Sequence, residues 1–218
     1  MNTAQLNSTQ GTAQLSLFPA SNTSTQESNQ LNTVYQYFFV INLPPTLSQS
    51  IKQLKLRLNK LIGLSDYNVF ATPNITLMSF HTMRPVNQNF ITAVQQLLDR
   101  NSNFEIQIDG FAHFEHGSVS NTLYAHVHKT DSLNQLYHDL HQLLGLKVRT
   151  FIPHLTIART IPRHKFEKIA SLFKNRSIKD QFNCYQISVL QRTIEYGTAS
   201  KFSVLKEFDL KHTLKLAA

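Results

Sequence analysis

The chain has 218 residues, of which 41% are hydrophobic and 16% charged, with a formal net charge of +8. That is enough apolar material for one fair-sized domain or two small intimate lobes, and the positive balance favours nucleic acid or nucleotides over a membrane surface as partner. One cysteine, Cys184, excludes an internal disulfide and fits a reducing compartment; with no leader pattern, and residues 37–43 too short an apolar run to span a bilayer, a cytoplasmic monomer is expected.

Residues 1–33 are rich in Asn, Gln, Ser and Thr, and Glu27 is their only charge. They lack the apolar surface that offsets the entropy of ordering, so a disordered polar tail is expected. One island interrupts it, Gln14, Leu15, Ser16, Leu17 and Phe18. It resembles the short peptide by which bacterial replication and repair proteins dock on the sliding clamp, a mode in which Leu17 and Phe18 would enter an apolar pocket. A chance match, or packing of the island on its own domain, explains the same five residues.

The folded part begins near Val34. The aromatic and β-branched run 35–42 predicts a strand, stopped by Pro44 and Pro45. Thr46 or Ser48 can cap a helix to about residue 62, with Ile51, Leu54, Leu58 and Leu61 on one face and Gly63 at its end. A strand over 75–80 and a helix over 89–100 follow, the helix turning Phe90, Val94, Leu97 and Leu98 inward. Residues 104–114 and 122–128 read as a strand pair about a turn with Gly117. A helix over 132–144 carries Leu133, Leu136, Leu140 and Leu143, with His138 and His141 on a solvated face. A strand over 154–160, a helix over 163–173 and strands over 182–192 and 201–208 complete the domain. Two similar halves of mixed strands and helices predict an α+β fold spanning 34–210 as two lobes, each with a largely antiparallel sheet. Residues 211–218 form a C-terminal tail, and Lys215, Leu216, Ala217 and Ala218 read as vector-derived.

A repeated motif carries the chemistry. Pro153-His154-Leu155-Thr156-Ile157 matches Pro73-Asn74-Ile75-Thr76-Leu77, 80 residues earlier (74 against 154). Polar side chains two apart on a strand share a face, while Ile75, Leu77, Leu155 and Ile157 take the other. Two such strands can set four polar groups about one cleft.

The pair, in register with the element order, resembles the 2H phosphoesterase superfamily, and within it the RNA 2′,3′-cyclic phosphodiesterase or 2′-5′ RNA ligase family. The match covers most of 35–210, including the extension His154-Leu155-Thr156-Ile157-Ala158-Arg159. The resemblance implies a two-lobed, pseudo-symmetric fold with outer helices around a central cleft, and a metal-independent, cofactor-free phosphodiesterase acting on cyclic or 2′-5′ phosphodiesters of RNA or nucleotides. It implies that His154 is one acid/base, that Thr76 and Thr156 donate hydrogen bonds to phosphate oxygens, and that Arg159 holds an anion or braces the cleft. Histidine suits proton transfer near neutral pH, and hydroxyls can meet the charge that builds on non-bridging oxygens.

The departure is Asn74, where the family has its first histidine. An amide does not titrate near neutral pH. Asn74 is either an engineered change, or a native residue of a weak enzyme or silent binder, or a vacancy filled by His81, His113 or His126. His126 and His128 flank Val127 on one face, without the carboxylate or cysteine pattern of a metal site. Phe38 and Phe39 read as core, though a cleft aromatic can stack a base. Lys147, Arg149, Arg159, Arg163, His164, Lys165 and Lys168 crowd around the second motif, as an RNA-steering surface or an ordinary soluble one. The competing expectation to an enzyme is a catalytically silent RNA-end or nucleotide-binding module recruited to a sliding clamp through residues 14–18.

Overall fold

A computed structural model describes residues 33–174 and 177–211. The candidate clamp peptide at 14–18 and the vector-like residues 215–218 lie outside them. In chain order the elements are β1 (Thr33–Asn42), α1 (Pro45–Ile62), α2 (Asp66–Phe70), β2 (Asn74–Thr82), α3 (Gln88–Leu98), β3 (Phe104–His116), β4 (Ser120–Val127), α4 (Asp131–Leu143), β5 (His154–Pro162), α5 (Arg163–Lys174), β6 (Lys179–Cys184), β7 (Gln186–Glu195), β8 (Thr198–Ala199) and β9 (Ser203–Asp209). The sheet runs β6-β3-β4-β5-β2-β1-β7-β8, with β9 also on β7, and its named pairings are antiparallel.

That order divides into two matching halves. From the centre outward, β5, β4, β3 and β6 form one, and β2, β1, β7 and β9 the other. The halves meet at a single register pair, Ile75 with Leu155. The motif strands are therefore the two inner edges, and the seam between the lobes is where they touch. This is the α+β, two-lobed antiparallel architecture expected.

One face of the sheet carries the core. Tyr37, Phe39, Phe80 and Phe90 pack as an aromatic cluster, with ring centroids 5.1–6.4 Å apart, which fixes α3 against β1 and β2. The Tyr37 hydroxyl accepts from Val86 N at 3.1 Å, so this buried phenol is not left without a partner. In the other half Phe111 meets Phe173 of α5 at 5.0 Å. Burying the apolar side chains of this core at about 25 cal/mol per Å² is the main stabilising term.

Several local expectations are corrected. Helix α1 opens on Pro45 at its first turn, without a side-chain cap from Thr46 or Ser48. Its buried face is Leu47, Ile51, Lys55, Leu58 and Ile62, and Leu61 is 60% exposed. The expected strand over 182–192 is two: β6 closes one half against β3, and beyond Tyr185 the chain enters β7 beside β1 in the other. His141 is buried rather than solvated, and its Nδ1 donates to Tyr137 O at 2.8 Å. Phe39 is core, but Phe38 faces the opposite side of β1, edge-on to Phe202 at 5.0 Å. Cys184 is buried, which pushes its thiol up to about 12, the behaviour of a packed side chain and not of a nucleophile. Among the described residues no helix is long and apolar enough to cross a membrane.

Candidate functional site

The Ile75–Leu155 pair decides which side chains meet. Both residues are fully buried on the core face. Their neighbours Asn74, Thr76, His154 and Thr156 all point to the opposite face, and all four are half-buried. Continuing the antiparallel register sets Asn74 toward Thr156 and Thr76 toward His154, with facing Cβ atoms about 5 Å apart in such pairs. The four sequence-predicted groups share one face of the sheet at the seam.

His154 is held from below and walled at the side. Its Nδ1 donates to Ile152 O at 2.8 Å, which leaves Nε2 carrying the lone pair of the neutral ring. Phe114 meets the ring edge-on at 5.1 Å and Tyr124 at 5.3 Å, and these two stack on one another at 4.3 Å. Register explains the wall, because Tyr124 pairs with Thr156, and Phe114 with Thr122 beside it. Burial lowers the His154 pKa; the Ile152 hydrogen bond opposes that and the Arg159 charge adds to it, with a net fall. The ring is neutral at neutral pH, ready to accept a proton. Burial also raises the Tyr124 phenol.

Asn74 copies half of this arrangement. Its Nδ2 donates to Thr72 O at 3.3 Å, again the carbonyl two residues back. Its Oδ1 accepts from the Thr76 hydroxyl at 3.2 Å. The amide thus keeps the positioning hydrogen bond, supplies no ring nitrogen beyond it, and engages the hydroxyl expected to serve a phosphate. Beside it Asn42, the register partner of Asn74, donates to Ser188 Oγ at 2.7 Å.

Arg159 lies further along β5, in a depression lined also by Tyr67, Asn68, Thr160 and Lys165. Its guanidinium sits 5.8 Å from the Tyr67 ring centroid. Its backbone is gripped at two points: Arg159 N donates to Asn68 Oδ1 and Asn68 Nδ2 donates to Arg159 O, both at 2.9 Å. Asn68 is 7% exposed. It belongs to α2, a single turn capped by Ser65 that the sequence reading missed. The next residue, Thr160, has φ +55°, a conformation costly for a β-branched residue.

Lys55, also missed, is 3% exposed and donates to Ala71 O at 2.8 Å. Burial, then the charges of Arg159 and Lys52, lowers its pKa to about 8. Among the described residues neither Lys55 nor Arg159 has a carboxylate within ion-pair distance. Its signal in the sequence was a lysine in step with Ile51, Leu58 and Ile62.

The other candidates separate. His126 is the register partner of His154 and shares its face. His81 pairs with Gln36 at the far end of β2, and His113 turns to the helix side, 4.8 Å from the Phe166 ring. His126 and His128 lie 5.4 Å apart by ring centroid, and among the described residues no three His, Cys, Asp or Glu side chains group as a metal site. Of the basic cluster, Arg159 and Lys165 line the same depression, Arg163 pairs with Glu167 at 3.1 Å, and Lys165 donates to Gly63 O at 3.0 Å.

The bilobed antiparallel cradle, with its motif strands at the seam, is the 2H phosphoesterase architecture, and solved structures share it. E. coli LigT in apo form aligns with a TM-score of 0.58 at 16% identity, covering 81% of this chain and 98% of that one. TT0787 of Thermus thermophilus aligns with a TM-score of 0.56 at 14% identity, covering 80% and 97%. A family model for the 2′-5′ RNA ligase superfamily matches residues 40–193. The chain belongs to that superfamily. A Staphylococcus epidermidis protein (strain ATCC 12228) named as a phosphoesterase is 31% identical over 94 residues, 42% of this chain and 54% of its own. The chain thus spans about half the length of the curated relatives it matches.

Proposed function

We propose that the shared face at the seam of β2 and β5 binds a phosphodiester of RNA or a nucleotide and hydrolyses cyclic or 2′-5′ linkages slowly without a metal, working as a cytoplasmic monomer. The carrying observation is the seam pair Ile75–Leu155, which brings a neutral His154 and two threonine hydroxyls to one face. His154 Nε2 takes a proton from the attacking water. Thr156 and Thr76 donate to the non-bridging oxygens, Thr76 on leaving Asn74 Oδ1. Arg159 draws the anion in. Asn74 supplies no proton to the leaving oxygen, so solvent supplies it. Among the solved relatives, LigT is known in complex with 3′-AMP, and that complex supports a nucleotide-sized occupant here.

The experiment is hydrolysis of a 2′,3′-cyclic mononucleotide by the unaltered chain and by His154→Ala, each with and without chelator. Activity that rises with pH through a depressed histidine pKa, disappears in His154→Ala and ignores chelator is expected. Equal rates for the two proteins defeat the assignment of His154.

The second reading is a silent binder recruited to a sliding clamp through residues 14–18, favoured by the Thr76–Asn74 hydrogen bond that occupies a would-be phosphate donor. It expects saturable nucleotide binding without turnover, and clamp capture lost in Leu17→Ala and Phe18→Ala. Turnover dependent on His154 removes its first half, and capture indifferent to both substitutions its second.

A further inference from the structure

The face that carries the motif residues continues past them. Along β1, Asn42, Val40, Phe38 and Gln36 alternate with Ile41, Phe39 and Tyr37 of the core, so they share the side of Asn74 and Thr76; Val40 and Gln36 are themselves buried and form the floor of that side, with Phe38 half-buried and Asn42 exposed. The register extends this side onto β7, where Val40 pairs with Ser188, Phe38 with Leu190 and Gln36 with Arg192. At the far end, His81 of β2, Gln36 of β1 and Arg192 of β7 form one row across three strands. The described helices pack on the other side, where the core lies.

The row is organised. Arg192 lies over the Phe202 ring, 4.5 Å from guanidinium carbon to centroid. Its Nε donates to Gln36 Oε1 at 2.7 Å, and Gln36 is 8% exposed. Phe202 stands edge-on to Phe38 at 5.0 Å. The guanidinium is thus oriented from two sides. Among the described residues it has no carboxylate within ion-pair distance, and the remaining donors of its fork are available to a phosphate. Phe38 and Phe202 are half-buried beside it. A cation with adjacent ring faces is the combination that holds single-stranded nucleic acid without reading its sequence.

We propose that Arg192, Phe202 and Phe38 form a second subsite, which takes the upstream nucleotides of a single-stranded RNA whose phosphodiester end lies at His154. The occupant follows from continuity and charge. Val40 stands beside Thr76, and Gln36 is four residues further along the same strand, about 13 Å at the usual strand rise. A mononucleotide at His154 does not span that gap, and a short oligonucleotide does. The subsite rests on the phosphodiester reading and adds to it that the substrate is a strand rather than a free cyclic nucleotide. His81, which sequence reading offered as a replacement acid/base, lines the route to the subsite.

The test compares two probes on the full chain: a 2′,3′-cyclic mononucleotide, and a ribotetranucleotide ending in the same cyclic phosphate. The tetranucleotide is expected to bind about tenfold or more tightly. Arg192→Gln and Phe202→Ala are each expected to remove most of that advantage and leave mononucleotide affinity within about twofold, which also reports an intact fold. Arg192→Gln further lowers the slope of log affinity against log salt for the tetranucleotide by about 0.7, the share of one single-strand phosphate. Equal affinity of the unaltered chain for both probes overturns the subsite, as does a tetranucleotide advantage that survives both substitutions. If neither probe binds, the phosphodiester reading falls and takes the subsite with it; mononucleotide binding alone leaves that reading standing while the subsite fails.

Discussion

Placing a histidine at position 74 is the most demanding perturbation. In Asn74→His the new imidazole inherits a prepared anchor, because Asn74 Nδ2 already donates to Thr72 O, as His154 Nδ1 donates to Ile152 O. The ring then carries Nε2 out over the seam, where the amide has nothing. Replacement also removes Oδ1, the acceptor of the Thr76 hydroxyl, so Thr76 can turn to a phosphate oxygen. A positioned general acid is worth about 10²–10⁴ in rate, which at 1.36 kcal/mol per decade is about 2.7–5.4 kcal/mol of barrier. Position 74 is half-buried on the side of the sheet away from the core, so the larger ring displaces no core side chain and stability moves by under about 1 kcal/mol. The assay is single-turnover hydrolysis of a 2′,3′-cyclic mononucleotide from pH 5 to 9. A neutral His154 acting as base gives the unaltered chain one rising limb, and a second histidine acting as acid adds a falling one. The Asn74→His protein is expected to show a bell with kcat raised at least a hundredfold, and His154→Ala in the same background to abolish the gain. An unchanged rate, or a gain that persists without His154, refutes the claim that the two strands form one acid/base pair.

Two further outcomes test the surroundings. Asn68→Ala leaves the backbone N–H and C=O of Arg159 unsatisfied, so unfolding by urea should show a loss of about 2 kcal/mol; affinity for the cyclic nucleotide should fall as it does in Arg159→Ala, without adding to it in the double variant. Additive losses would mean that Asn68 does not act through Arg159. Lys55 has a folded pKa near 8, below its ordinary 10.5, so between those values the unfolded chain holds the extra proton and stability rises with pH. From pH 7 to 10 the unaltered chain should gain on the order of 2 kcal/mol more than Lys55→Met, measured by urea unfolding at each pH; parallel pH profiles would show that Lys55 is not a buried charge.

What could be read from the sequence was what depends on neighbours along the chain. Alternation put Asn74 with Thr76 and His154 with Thr156 on one side of their strands, because side-chain direction on a strand is fixed by parity alone. That β2 and β5 are adjacent is a fact of hydrogen bonding across 80 residues (75 with 155), and only the family resemblance supplied it. The walls of the site depend on register in the same way. Phe114 and Tyr124 sit beside His154 because β4 lies between β3 and β5 in one alignment, and a slip of one residue would send both to the core face. In α1 the face was misread for a different reason. Leu54 and Leu61 fit a helical stripe as well as Lys55 and Ile62 do, and a lysine stem can be buried when its ammonium finds a carbonyl, here Ala71 O. The passage from β6 to β7 at Tyr185 carries no glycine or proline to announce it, since the chain merely leaves one half of the sheet for the other. These omissions bear on the chemistry. Asn68 holds the backbone of Arg159, Phe114 and Tyr124 pack against the His154 ring, and Lys55 is a buried lysine that feels the charge of Arg159. Two chains with the same pair of motifs can therefore differ in what surrounds them, and position 74 is only the most legible place to look for such a difference.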